Sequence, residues 1–169
     1  MRKNIPFRSI LFLFFIIFSA SSLWAQTLRL DSLLAVVKTM KEDTNKANTF
    51  YEISRAYLNE LNNVKKVAEY GWKELALSQK LNFKKGMANS MLNIGIFYRM
   101  SGNYDMALYY DNKSLVLMQE TSNKKGESSA LLNIGLNYSE KGNYKEALDY
   151  MKKGVQLKQQ IGDRKGMAG

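Results

Sequence analysis

The chain has no cysteine and no histidine, and it has one proline among 169 residues. The first two absences remove whole classes of chemistry. There can be no disulfide framework, no thiol nucleophile and no zinc site built on sulfur or imidazole. A Ser-His-Asp triad is excluded for want of its general base. No other nucleophile–base pair or metal-ligand cluster stands out, so no catalysis, cofactor or bound metal is expected. Without disulfides, stability has to come from packing.

What is present begins with a leader. The opening "MRKNIPFRSILFLFFIIFSASSLWAQ" carries Arg2, Lys3 and Arg8, then an apolar run from Ile10 to Phe18, then small and polar residues up to Ala25. That order reads as a secretory signal peptide over residues 1–25, with an uncleaved membrane anchor as the alternative. The run is short for a membrane span, which takes about 20 apolar residues. Export implies a periplasmic or other extracytoplasmic location. Removal of the leader takes away the only proline, Pro6, and leaves roughly 140 residues, enough for one domain or a short repeat array. It also removes three cations and no acid, lowering the formal net charge from +10. The remaining cations form no block, so the charge reads as solubility, and nucleic acid is not expected as a partner of an exported chain.

The rest of the chain repeats itself. Residues 86–125 laid over 126–165 without a gap agree at sixteen of forty positions. Asn93-Ile94-Gly95 matches Asn133-Ile134-Gly135, Gly102-Asn103-Tyr104 matches Gly142-Asn143-Tyr144, and Ala107-Leu108 matches Ala147-Leu148. Self-similarity at a fixed period of this size marks a solenoid or array. Met91, Ile94, Gly95 and Tyr98 share one face of a helix, as do Leu131, Ile134, Gly135 and Tyr138. Gly102-Asn103 and Gly142-Asn143 supply the turn. Second helices are predicted over about 104–120 and 144–161, with Ala107 and Ala147 at the closest approach. Tyr98, Tyr104, Tyr138 and Tyr144 are assigned to the core because their spacing is that of the packing face. An earlier unit repeats the face with Phe50, Ile53, Ser54 and Tyr57. Its first helix aligns at an offset of 41, and its turn around Leu61-Asn62 is expected to be one residue shorter.

These residues resemble the tetratricopeptide repeat (TPR), whose helix-turn-helix unit wants a large residue, Leu-Gly, Tyr, a Gly-x-Tyr turn, alanine and a second aromatic. Here the places are held by Met91, Ile94-Gly95, Tyr98, Gly102-Asn103-Tyr104, Ala107 and Tyr110, and again forty residues later. The resemblance implies an all-α, right-handed TPR-type α-solenoid. Its organisation would be a capping helix at 26–42, repeats at 43–83, 84–123 and 124–163, and the start of a truncated fourth repeat at 164–169. The family unit has about 34 residues, and six more would add up to ~9 Å if helical. This longer unit is similar to the exported N-terminal arrays of bacterial sensor proteins.

In that family the first helix of each unit lines a concave groove that grips a peptide or partner helix. The resemblance places Asn89, Asn93, Ile96 and Arg99 there, with Leu92, followed by Ser129, Asn133 and Leu136, with Leu132 and Ser139. An amide in the place of Asn93 and Asn133 can donate to and accept from a peptide bond. Arg55 and Arg99 are the evident groove cations, too few for a clamp on two carboxylates. The pairs Lys84-Lys85, Lys124-Lys125 and Arg164-Lys165 read as solvated junction residues. The implied function is a non-catalytic scaffold for a protein or peptide. The alternative is the sensory part of a larger signalling protein, with continuation or self-association through the apolar face of the last helix.

Overall fold

The computed structural model describes residues 28–59 and 62–162. The leader, Leu61 of the first turn and the start of a fourth repeat lie outside the described residues. The chain divides after Thr39 into two compact units. In the first, residues 28–39 form helix α1, with Leu30 and Val37 buried and Leu33 and Leu34 half-buried. The second unit holds α2 (Thr44–Asn59), α3 (Val64–Lys80), α4 (Lys84–Met100), α5 (Tyr104–Glu120), α6 (Lys124–Glu140) and α7 (Tyr144–Gln160). There is no strand among the described residues, and none of these helices is long and apolar enough to cross a membrane.

The forty-residue period has a plain construction. Helices α4 to α7 each have 17 residues, and three-residue connectors join them. The surplus over the usual unit therefore lengthens the helices, while every connector stays tight. At the end of α4, Gly102 takes a left-handed backbone, φ 76°, where a side chain would be strained. Its N–H bonds Arg99 O, and the N–H of Asn103 bonds Tyr98 O at 2.9 Å. This is the six-to-one and five-to-two closure that satisfies the last carbonyls of a helix. Gly142 and Asn143 repeat it after α6. After α3 and α5, Asn82 and Ser122 accept the same conformation without being glycine, at φ 50° and 52°. Asn103 serves twice, since its side chain then accepts from Met106 N and opens α5. Asn63 and Asn123 do the same for α3 and α6.

The first turn corrects an expectation. The N–H of Asn63 reaches back six residues to Tyr57 O, where the N–H of Asn103 reaches back five. The connector after α2 is thus one residue longer, which is what an offset of 41 before it and 40 after it requires.

Successive helices pack antiparallel, and each repeat closes on small residues. Ala88, Ala107, Ala130 and Ala147 are buried. A Cβ on Gly135 would stand 2.7 Å from Met151 Cγ and 3.1 Å from Ala147 O, so α6 and α7 come close only without one. A buried hydroxyl bridges the two helices of each unit: Ser54 to Val67 O, Ser114 to Ala88 O and Ser128 to Gly154 O. Tyr57–Tyr70, Tyr98–Tyr110 and Tyr138–Tyr150 stack at 5.5–5.7 Å, one pair per repeat. Tyr98, Tyr104 and Tyr138 are half-buried, but Tyr144 is 72% exposed and does not belong to the core. It stands on α7, which packs on α6 and on no other helix of the second unit.

Candidate functional site

The backbones of α2 and α4, and of α4 and α6, approach closely, whereas those of α3, α5 and α7 stand apart from one another. The first helices of the repeats therefore stand together on the inner side, and the second helices splay on the outer side. On the inner side a cleft of about 450 Å³ runs across α2, α4 and α6. Asn48, Tyr51 and Glu52 of α2 form one wall. Lys85, Asn89 and Leu92 of α4 form the floor, and Asn123, Lys125, Gly126 and Ser129 at the start of α6 form the far wall.

Of the residues assigned to the groove, Asn89, Leu92 and Ser129 line this cleft. Ile96 and Arg99 are half-buried and Leu136 is 38% exposed, one to three turns further along the same helices. Asn93 is 1% exposed, with its Nδ2 lacking a hydrogen-bond partner, so its amide belongs to the interior beneath the groove. Asn133 is half-buried and stands near Asp111, where it favours the charged carboxylate.

Asp111 is the centre of a polar layer beneath the inner face. It sits on α5 between α4 and α6, at 1% exposure, and accepts from Asn137 Nδ2 at 2.7 Å. A Cβ on Gly95 would collide with its carboxylate, which explains the small residue in that place. Burial pushes the Asp111 carboxyl up to about 7, against the hydrogen bond from Asn137, the charge of Arg99 and the nearby Asn133 amide. Glu74 on α3 is fully buried with neither oxygen bonded, and burial pushes it up to about 9.

Lys85 and Lys125, read from the sequence as solvated junction residues, are exposed. They occupy equivalent places in consecutive repeats and line the same cleft. A lysine in the first turn opposes the helix dipole by a few tenths of a kcal/mol, so local helix stability does not account for either. Their neighbours are used structurally: Lys84 pairs with Glu120 at 2.8 Å and Lys124 with Glu127 at 2.9 Å. The repeat of the Lys-Lys pair was the available signal, and only the packing of α4 beside α6 tells which member faces inward. Among the described residues, no group of three or more Asp or Glu could hold a metal ion. The cleft can offer hydrogen bonds and positive charge to a bound chain.

Residues 86–160, which span α4 to α7, match the family profile of the tetratricopeptide repeat. Among solved structures, BtubC (BKLC) from P. vanneervenii superposes with a TM-score of 0.60 at 16% identity. The match covers 72% of this chain and 50% of that one, so this chain spans about half the length of that neighbour and shares its fold. A MamA structure aligns at 20% identity over 79% of this chain and 89% of its own, with a TM-score of 0.41. No curated protein matches the chain.

Proposed function

Because residues 86–160 match the tetratricopeptide repeat profile and the fold is shared with BtubC, we propose that this chain is a non-catalytic protein-interaction scaffold that holds an extended, acidic peptide in the inner cleft. The observation that carries the reading is the pair Lys85 and Lys125 on one cleft with Asn89, Asn123 and Ser129 between and beside them. Two point charges one repeat apart suit carboxylates spaced along an extended chain. The amides and the hydroxyl suit its backbone. The leader-like residues 1–25 motivate the further proposal that binding takes place outside the cytoplasm.

The test is fluorescence anisotropy with a labelled decapeptide of alternating serine and glutamate, against its serine–lysine counterpart. The acidic peptide binds, more weakly as salt rises, and the double variant Lys85→Glu with Lys125→Glu loses about tenfold or more in affinity. Equal binding of the two peptides, or an unchanged double variant, overturns the assignment. A second reading makes this array the sensory part of a larger signalling protein. It is favoured by the outer side of α7, where Leu148 and Val155 are 53% and 40% exposed and a further helix would pack. The reading frame beyond Gly169 tests it.

A further inference from the structure

The outer side of the array carries a second cleft, of about 250 Å³, between α3 and α5. The backbones of those helices stand apart, and half-buried Met91 of α4 lies at its floor between them. Its walls are aromatic. Tyr110 is held edge-on by Trp72 at 5.6 Å and by Tyr109 at 5.1 Å, and stacks on Tyr98 behind. Trp72 and Tyr109 remain 40% and 48% exposed.

The repeat supplies an internal control. The corresponding cleft one unit on, between α5 and α7, keeps the residues equivalent to Leu75, Gln79, Met91, Tyr110 and Lys113. The counterparts of Trp72 and Tyr109, however, are Asn112 and Asp149. Packing of the repeat therefore does not require rings at these two places, and both rings are additions to this cleft alone. A second difference concerns charge. In the later cleft Gln119 Nε2 donates to Glu127 Oε1 at 3.2 Å. Here the place of Glu127 is taken by Met87, so Gln79 lacks the carboxylate that its counterpart holds. Lys113, whose Nζ lies 4.4 Å from the Tyr109 ring centre, is the one charged residue lining the cleft.

We propose that this outer cleft is a second docking site, separate from the inner groove, that takes a proline-rich acidic segment of a partner protein. Prolyl rings of an extended segment lie between aromatic ridges, and that conformation is already formed before binding. A carboxylate on the segment meets the Gln79 amide and the Lys113 ammonium, supplying the charge the cleft lacks. A saccharide would stack on the same rings, but Leu75, Ala76 and Met91 leave its hydroxyls few partners.

Trp72 itself reports on the site. The sequence has two tryptophans, and Trp24→Phe in the full chain leaves Trp72 alone. Its emission is titrated with a decapeptide of alternating glutamate and proline, with the lysine–proline counterpart, and with chitotetraose. The glutamate–proline peptide gives a saturable change, and Lys113→Glu and Tyr109→Ala each weaken it about fivefold or more. The groove variant Lys85→Glu with Lys125→Glu leaves that titration unaltered. No saturable change with the glutamate–proline peptide, an equal response to lysine–proline, or saturation by chitotetraose alone overturns the proposal. Circular dichroism checks that each variant keeps its helices, and should Tyr109→Ala lose them, the exposed Lys113→Glu decides.

Discussion

At Glu74 a carboxyl sits at 0% exposure with both oxygens unbonded, a place that favours the protonated acid. Its folded value of about 9 lies above the ordinary 4.5, and that of Asp111, about 7, lies above 3.8. Between those ordinary and raised values the folded chain keeps protons that the unfolded chain releases. Stability therefore declines as pH rises through this window, the reverse of the usual salt-bridged carboxylate. Glu74→Met removes the group that must hold a proton and fills much the same volume. Urea unfolding should find the variant more stable than the parent by on the order of a few kcal/mol at about pH 8, with a much smaller gain at about pH 5. Parallel pH profiles for the two proteins would contradict the assignment. Asp111 differs in having Asn137, Asn133 and Arg99 to favour its charge, and it alone ties α5 to α6 by a buried side-chain bond among those described. Neither acid announces itself in the sequence. A lone Glu or Asp on an amphipathic helix reads as surface, and only the packing of helix on helix buries it.

At the scale of the element, one three-residue connector joins the helices from α3 to α7, but its first helical bond is not uniform. Asn103 closes α4 through its backbone and opens α5 through its side chain. Asn143 occupies the same place before α7, yet its side chain makes no capping bond. Asn103→Ala is expected to lower stability by about 1 kcal/mol and Asn143→Ala by clearly less, which thermal unfolding of the two variants would measure. Equal losses would show that the backbone turn alone sets these junctions. The glycines at 102 and 142 made two of the turns readable in advance. Those at Asn82 and Ser122 were hidden because polar residues took on a backbone that glycine would have signalled. The interhelical hydroxyl shows the same freedom. Repeat two places it at Ser114, bonding Ala88 O, and repeat three at Ser128, bonding Gly154 O. Positions 88 and 128 correspond, as do 114 and 154, so the contact survives while donor and acceptor exchange helices. An identity count scores those positions as mismatches although the interaction is kept.

Across the whole molecule, each helix of the second unit is secured mainly by the helices before and after it. Helices α4 and α5 have partners on both sides, and within that unit α7 packs on α6 only. Hydrogen exchange should accordingly find the slowest amides in α4 and α5 and distinctly faster ones in α7, since local opening follows nearest-neighbour packing in such arrays. Amides in α7 as slow as those in α4 would refute that order. The exposed Tyr144 belongs to the same account, because its half-buried counterpart Tyr104 lies on a helix packed on both sides.

Much of the architecture was legible beforehand. The sequence places α5 at 104–120 and α7 to within one residue, because each opens on a Gly-Asn turn and the forty-residue period carries the bounds of one to the other. The candidate site was legible only in part. Asn89 and Ser129 stand on the cleft, but Asn93, offered on a family pattern, is buried, and Lys85 and Lys125, solvated as their sequence suggests, also line the cleft. What the sequence by itself determined is the period, the helical pairing and the turn chemistry, all of which depend on residues near one another in the chain. The tertiary structure decided which lysine faces inward, which carboxyls lose their water and which aromatic rings stay in it. Those outcomes depend on where the helix of another repeat comes to rest, and no spacing within a single repeat encodes that.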